Sequence, residues 1–404
     1  MERCARLSIN CIVPPHILKK LLESKDRKVS EVALNTLLTT SHLRGERSVR
    51  ALAAISSPET ARRTIYDCRH GRIVSGKLAR SEDEPASSDK PVNQAFDGFG
   101  HTRDFYKQVF NRNSIDDRGM RLNGYVHYGE SYQNAFWDGQ EMIFGDGDGE
   151  IFTDFTGALD VIGHELTHGV TEFTANLEYH NQSGALNESI SDVFGSLVMQ
   201  WVNNQSAEQA DWLIGVGIFT PKITGDALRS MKAPGTAYDN DLIGKDPQPD
   251  NMSDYQTLPD TAQGDFGGVH INSGIPNKAF YLTAIAIGGN AWEAPGHIWY
   301  EALKASTATT NFQEFADTTH SKAGQLYGTS GAEQQAVLLA WREVGIRISN
   351  AAIPSPASRR KQPTAVESDS YQQLSRQIGT IAEQIRVISS EISALKNITE
   401  KQAA

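Results

Sequence analysis

Between residues 17 and 40 the apolar positions Leu18, Leu21, Leu22, Val29, Val32, Leu34 and Leu37 recur at spacings near a helical turn. The pattern predicts an amphipathic helix there. Residues 41–62 are polar and arginine-rich, as in an exposed, cleavable connector. From Thr64 the texture changes. The runs TIYDCRHGRIV, RLNGYVHYG and NAFWDGQEMIFGDGDG set β-branched and aromatic residues between Gly, Asn and Asp. They read as strands and turns. Helices are predicted over Val92–Phe110 and over 156–174, and helical patterns dominate from Gly184 onward. The fold class is α+β: a β-rich lobe over 61–179, ending in one long helix, then a mostly helical lobe over 180–350.

Two further segments lie beyond. Residues 351–370, rich in Pro, Ser and charge, read as a linker. In 371–404 the residues Leu374, Ile378, Ile381, Ile385, Ile388, Ile392 and Leu395 alternate spacings of four and three. That is a short coiled-coil pattern, and Ile at both seam positions favours a trimer or higher homo-oligomer. A helix folded back on its own body fits the same pattern.

Composition narrows the function classes. Charged residues make up 22% and net charge is −11, which disfavours a nucleic-acid binder. No apolar run approaches the ~18 residues of a membrane span. Residues 1–60 carry 10 basic and 6 acidic side chains, so a basic front segment faces an acidic remainder. Three cysteines, Cys4, Cys11 and Cys68, are too few for a disulfide framework. Pro14 and Pro15 follow the N-terminus too soon for the apolar core of a secretory signal, so none is expected and the compartment stays open.

The chemistry lies in HELTH, residues 164–168. On a helix His164 and His168 share a face and converge on one point, as zinc requires, with Glu165 beside them to act on a water. The helix is otherwise apolar, and burying three ionisable groups without a common partner is costly. Zinc needs a third ligand and an open position. Glu188 in GALNESISD supplies a carboxylate 20 residues beyond His168. Asn187 and Asp192 are spaced to accept the outer N–H groups of the histidines.

HELTH followed by GALNESISD resembles the thermolysin-like (M4, gluzincin) metallopeptidases over roughly residues 64–350. The segment IVPPHIL resembles the protealysin-like branch, which has a short N-terminal propeptide. The resemblance implies a cleft between the lobes and a zinc endopeptidase made as a zymogen. It implies zinc on His164, His168 and Glu188, with Glu165 as general base. It implies oxyanion donors Tyr179 and His270, the latter oriented by Asp265. NAFWDG matches a substrate-binding edge strand, with Asn134 and Ala135 holding the peptide, and ALRSM places Arg229 on a substrate carbonyl. By family position Phe152, Phe155, Val161, Ile214, Ile218 and Leu228 line the pocket after the scissile bond, which implies cleavage before bulky hydrophobic residues. Residues 1–60 become an inhibitory propeptide with Pro14 and Pro15 near the cleft. Family members act outside the cell, which inclines the compartment that way, with the cytoplasm as the alternative.

Calcium is expected to be weak or absent. Asp160 and Asp211 match family ligands, but Met199, Leu213 and Val216 stand where further carboxylates would be. A second family site maps to Phe219, Thr220, Ile223 and Asp226. Asp146 and Asp148 read as turn residues. Cys11 reads as a small buried thiol, with capping of the zinc as the sharper alternative, and Cys68 as core. The competing function is an inactive protease-like scaffold working through its C-terminal coiled coil.

Overall fold

The computed structural model describes residues 10–50 and 62–349. The heptad segment and part of the connector lie outside the described residues.

A six-stranded sheet organises the first lobe. Its strands are β1 (Asn10–Cys11), β2 (Arg63–Asp67), β3 (Lys77–Ser81), β4 (Leu122–Val126), β5 (Ala135–Trp137) and β6 (Glu141–Phe144), in the order β1-β5-β6-β4-β2-β3. β2, β4 and β6 run parallel; β5 lies antiparallel to β6, and β1 antiparallel to β5. Without β1, the strand carrying the NAFW segment would be an open edge. Cys11 pairs with Phe136, 125 positions later in sequence.

The N-terminal helix predicted over 17–40 is two helices, α1 (Pro15–Leu22) and α2 (Arg27–Arg50). The break has a local cause: Asp26 Oδ1 accepts from Lys28 N at 2.9 Å and starts a new helix. Residues 41–50 continue α2 rather than forming a polar loop, and Leu43 is buried within them. The arginines made this stretch look like a connector, but Leu43 gives the helix one apolar contact toward Cys11 and Tyr132.

α3 (Lys90–Phe110) covers the sheet and carries Phe99 onto β4, where a Cβ on Gly124 would come within 2.7 Å of the Phe99 ring. The long central helix starts later than the pattern predicts, because Phe155–Gly157 forms a 3₁₀ turn before α4 (Leu159–Glu172). α5 (Asn181–Asn203) packs closely on α4. A Cβ at Gly195 would lie 2.4 Å from the Asp160 carbonyl, so only glycine lets the two helices approach this far.

After two short antiparallel pairs, β7 (Leu213–Ile214) with β8 (Arg229–Ser230) and β9 (Asp239–Asn240) with β10 (Gly244–Lys245), the second lobe is helical. It comprises α6 (Asp265–Asn272), α7 (Gly274–Ile287), α8 (Ala294–Ala305), α9 (Phe312–Tyr327) and α10 (Ala332–Glu343). Trp299 and Trp341 stack in its core at 6.2 Å between ring centroids. No described helix is long and apolar enough to cross a membrane.

Candidate active site

α4 and α5 bring the chemistry together. His164 and His168, one turn apart, point their Nε2 atoms at each other across 3.0 Å. Glu188 on α5 sets a carboxylate oxygen 3.5 Å from each of them. All three are buried, and Glu188 Oε2 has no hydrogen-bond partner. Two imidazole nitrogens facing each other beside an orphaned buried carboxylate oxygen is an arrangement that a cation resolves. The donor set, two nitrogens and one carboxylate, suits zinc. Burial keeps His168 well below its ordinary pKa, so its imidazole is neutral, as a ligand requires.

The outer nitrogens of both histidines meet side chains of α5. His164 Nδ1 donates to Asp192 Oδ1 and His168 Nδ1 to Asn187 Oδ1, each at 2.8 Å. Ser191 Oγ is also 3.0 Å from His168 Nδ1. Asp192 accepts both arms of Arg229 at 2.8 Å and the Asn277 amide at 2.9 Å. Burial opposes ionisation of Asp192, but Arg229 and His164 outweigh it and hold the carboxyl well below the usual range.

Glu165 is buried next to His164. Its Oε2 accepts from Trp137 N at 3.0 Å, while Oε1 has no partner. Burial and the nearby Glu188 carboxylate raise its proton affinity. From the other lobe His270 donates through Nδ1 to Asp265 Oδ1 at 2.6 Å, and Asp265 Oδ2 accepts the His270 backbone N–H. Although burial works against it, Asp265 and then Glu188 push the His270 imidazole up to about 9. Tyr179 donates to Glu188 and lies 3.2 Å from His270 Nε2.

The N-terminal segment crosses this constellation as an added strand. His270 Nε2 donates to the Cys11 carbonyl at 3.0 Å. Ile12 N donates to Ala135 O at 3.2 Å and Ile12 O accepts from Arg229 at 3.1 Å. Val13 N donates to Asn134 Oδ1 at 3.0 Å. Pro14 and Pro15 are buried beside the site, but they turn the strand into α1 and the Cys11–Val13 peptides face the reacting groups. The Cys11 side chain points into an apolar cluster with Leu43, Tyr128, Tyr132, Phe136 and Ile143, and burial pushes its thiol up to about 12. Among the described residues the ligand cluster holds only His164, His168 and Glu188, and Cys11 is not in it. Cys68 belongs to the same apolar cluster.

Phe152, Phe155, Val161, Ile214, Ile218 and Leu228 are all buried; the Phe152 and Phe155 rings lie 5.7 Å apart and Ile214 pairs opposite Arg229. Sequence reasoning missed Asn277, Ser191, the Trp137 N–H and Gln248, which holds the His270 carbonyl at 2.8 Å. Ser191 adjoins Asp192 and was within reach of the helical spacing. The others come from distant elements and carry no local signal.

A buried two-histidine, one-glutamate centre between a β lobe and a helical lobe defines a metallopeptidase. Two family models match: thermolysin metallopeptidase, catalytic domain, over residues 50–172, and thermolysin metallopeptidase, alpha-helical domain, over 175–346. The chain is 46% identical over 340 residues to an extracellular metalloprotease of Pectobacterium carotovorum subsp. carotovorum, covering 83% of this chain and 96% of that one. It is 45% identical to protease PrtS of a Photorhabdus species, covering 83% and 92%. The solved precursor of protealysin from Serratia proteamaculans superposes with TM-score 0.75 at 48% identity, covering 83% of this chain and 99% of that one. The chain belongs to the thermolysin metallopeptidase family, and is a zinc-dependent metalloendopeptidase.

Proposed function

We propose that the chain is a self-inhibited precursor whose N-terminal segment, within residues 1–60, occupies the cleft as a pseudosubstrate, and whose freed enzyme cuts before bulky hydrophobic residues. The observation that carries this reading is the Cys11–Val13 strand, whose carbonyls and N–H groups are taken by His270, Arg229, Ala135 and Asn134. In that register the Cys11–Ile12 peptide lies where a scissile bond would. Ile12, fully buried, stands for the residue after the cut, in keeping with an apolar pocket built from Phe152, Phe155, Val161, Ile214, Ile218 and Leu228.

In the mechanism, His164, His168 and Glu188 would hold one zinc, which when bound would polarise a carbonyl and lower the pKa of water to about 7. Glu165 accepts the proton of the attacking water and delivers it to the leaving amine. His270, kept protonated by Asp265, and Tyr179 donate to the carbonyl oxygen as charge develops on it. Arg229 and Asn134 hold the peptide beyond the cut, and the substrate adds to β5 as a strand. Asp160 accepts from Gly215 N and Val161 N, and Asp211 from Leu213 N, so both carboxylates serve turns and a calcium role is not assigned to them. Asp148 likewise accepts from three backbone N–H groups of its own turn. Action outside the cell is supported by the named activity of the Pectobacterium relative. The tail over 371–404 stays the candidate for self-association.

Replacing Ile12 with Asp in the full chain is expected to unmask the uncut precursor, raising its hydrolysis of a peptide with Phe or Leu after the scissile bond about tenfold or more. A buried, unpaired carboxylate loosens the strand. Unchanged latency, or a cleavage profile that peaks at charged residues, would count against the reading.

His16 gives latency a pH dependence. Its Nε2 pairs with the Tyr238 hydroxyl at 2.8 Å, and burial, helped by His270 and Arg229 against Asp265, lowers its pKa from 6.5 to about 4. The docked segment therefore refuses a proton that the free segment accepts below about 6.5. Docking is strongest above that pH and weakens by about tenfold per unit as pH falls toward 4. Precursor activation is expected to be faster at pH 5 than at pH 7.5, and His16→Gln should flatten the difference. An identical pH response in the variant would refute the role.

A further inference from the structure

A second nitrogen-and-carboxylate cluster lies on the sheet, outside the catalytic cleft. His70 follows β2, His127 follows β4 and Asp146 follows β6, so the three side chains meet at the carboxyl ends of the three parallel strands. Crevices at such ends are where open sheets gather ligands. His127 Nδ1 lies 2.9 Å from Asp146 Oδ2, and His70 Nδ1 lies 3.5 Å from the same oxygen. Ligand atoms of all three sit within 4.8 Å of one another. Four-coordinate zinc with bonds near 2.0–2.1 Å sets its ligands about 3.3 Å apart. The catalytic set shows the same spacing, 3.0 and 3.5 Å. The far nitrogen of His127 donates to Asp89 Oδ2 at 2.9 Å, the carboxylate support that metal-bound histidines take.

The two histidines are also tied through their backbones. His70 and His127 both adopt left-handed φ, +60° and +55°, and His70 N donates to His127 O at 2.8 Å. His70 is more than half exposed, so the cluster is open to solvent on one side.

We propose that His70, His127 and Asp146 form a second transition-metal site, taking zinc, with Asp89 orienting His127. Imidazole ligands select zinc, copper or nickel over calcium and magnesium, which want oxygen. Its role is structural. The metal ties together the loops after β2, β4 and β6, and the last of these supports the substrate edge, because Gly145 N donates to Asn134 O at 2.9 Å. It would brace the lobe on the side away from the catalytic helices.

The test is zinc stoichiometry in the full chain. Protein that already carries its catalytic zinc is dialysed against rising zinc chloride, and bound metal is counted. Wild type is expected to take up a second equivalent, with a thermal midpoint rise of roughly 3 °C at a hundredfold excess over the dissociation constant. His70→Ala, an exposed position whose removal leaves no buried gap, should keep the first zinc and lose the second along with the thermal rise. Asp89→Asn should weaken the second about 10–100-fold. Saturation of wild type at one zinc up to millimolar metal overturns the proposal and leaves His127 as an ion-paired side chain. Equal uptake by His70→Ala also overturns it, as adventitious surface binding only.

Discussion

Glu165→Gln is expected to lower kcat about 10²–10⁴-fold while zinc content stays unchanged, the loss typical of a missing general base. Gln keeps the shape of the side chain and an oxygen for the Trp137 N–H, which Glu165 Oε2 takes at 3.0 Å. What it loses is basicity at Oε1, the oxygen with no partner. On the precursor reading proposed above, with the Cys11 carbonyl held by His270, the variant should also stop trimming itself, and the chain should persist at 44.3 kDa. A purified Glu165→Gln chain that hydrolyses casein at more than about a tenth of the wild-type rate would remove Glu165 from the mechanism.

Asp192→Ala is expected to cost both fold and metal. Asp192 is fully buried and accepts four hydrogen bonds, from His164, from two nitrogens of Arg229 and from Asn277. Its loss leaves the Arg229 guanidinium buried without a counter-charge, a penalty of about 3–5 kcal/mol. For this chain length that is a fall in Tm of roughly 4–6 °C. It also frees His164 to rotate, which weakens zinc binding about 10–100-fold. Pairing Asp192→Ala with Arg229→Met separates the two effects: the double variant should recover much of the Tm and none of the zinc affinity. If the single variant melts and binds zinc like wild type, the network has been misread.

These effects follow from how far apart the partners lie in sequence. The HELTH helix was legible because its information is local. Residues four apart share a helical face whatever surrounds them, and the apolar stripe of Val161, Ile162, Leu166 and Val170 announces burial. Asp192 four positions after Glu188 follows from the same rule, once α5 is granted. The sheet was legible only as a set of strands. Runs of two to five residues carry too little periodicity to reveal order or direction, so the parallel trio β2, β4 and β6 had to be seen. The break between α1 and α2 and the helical continuation of residues 41–50 were missed. There a single aspartate cap and one buried leucine outweighed the charge pattern.

What the sequence by itself determined is the catalytic helix pair, the α+β division and the chemistry of two imidazoles with a carboxylate. Each depends on contacts within one or two helical turns. Tertiary structure alone decided that Cys11–Val13, and not the two prolines, lies against the reacting groups. It alone joined Arg229 and Asn277 to Asp192, and His70 to His127 and Asp146. Such pairings close long loops, and no short-range pattern encodes them. They form only where packing of distant elements offsets the entropy of bringing their ends together.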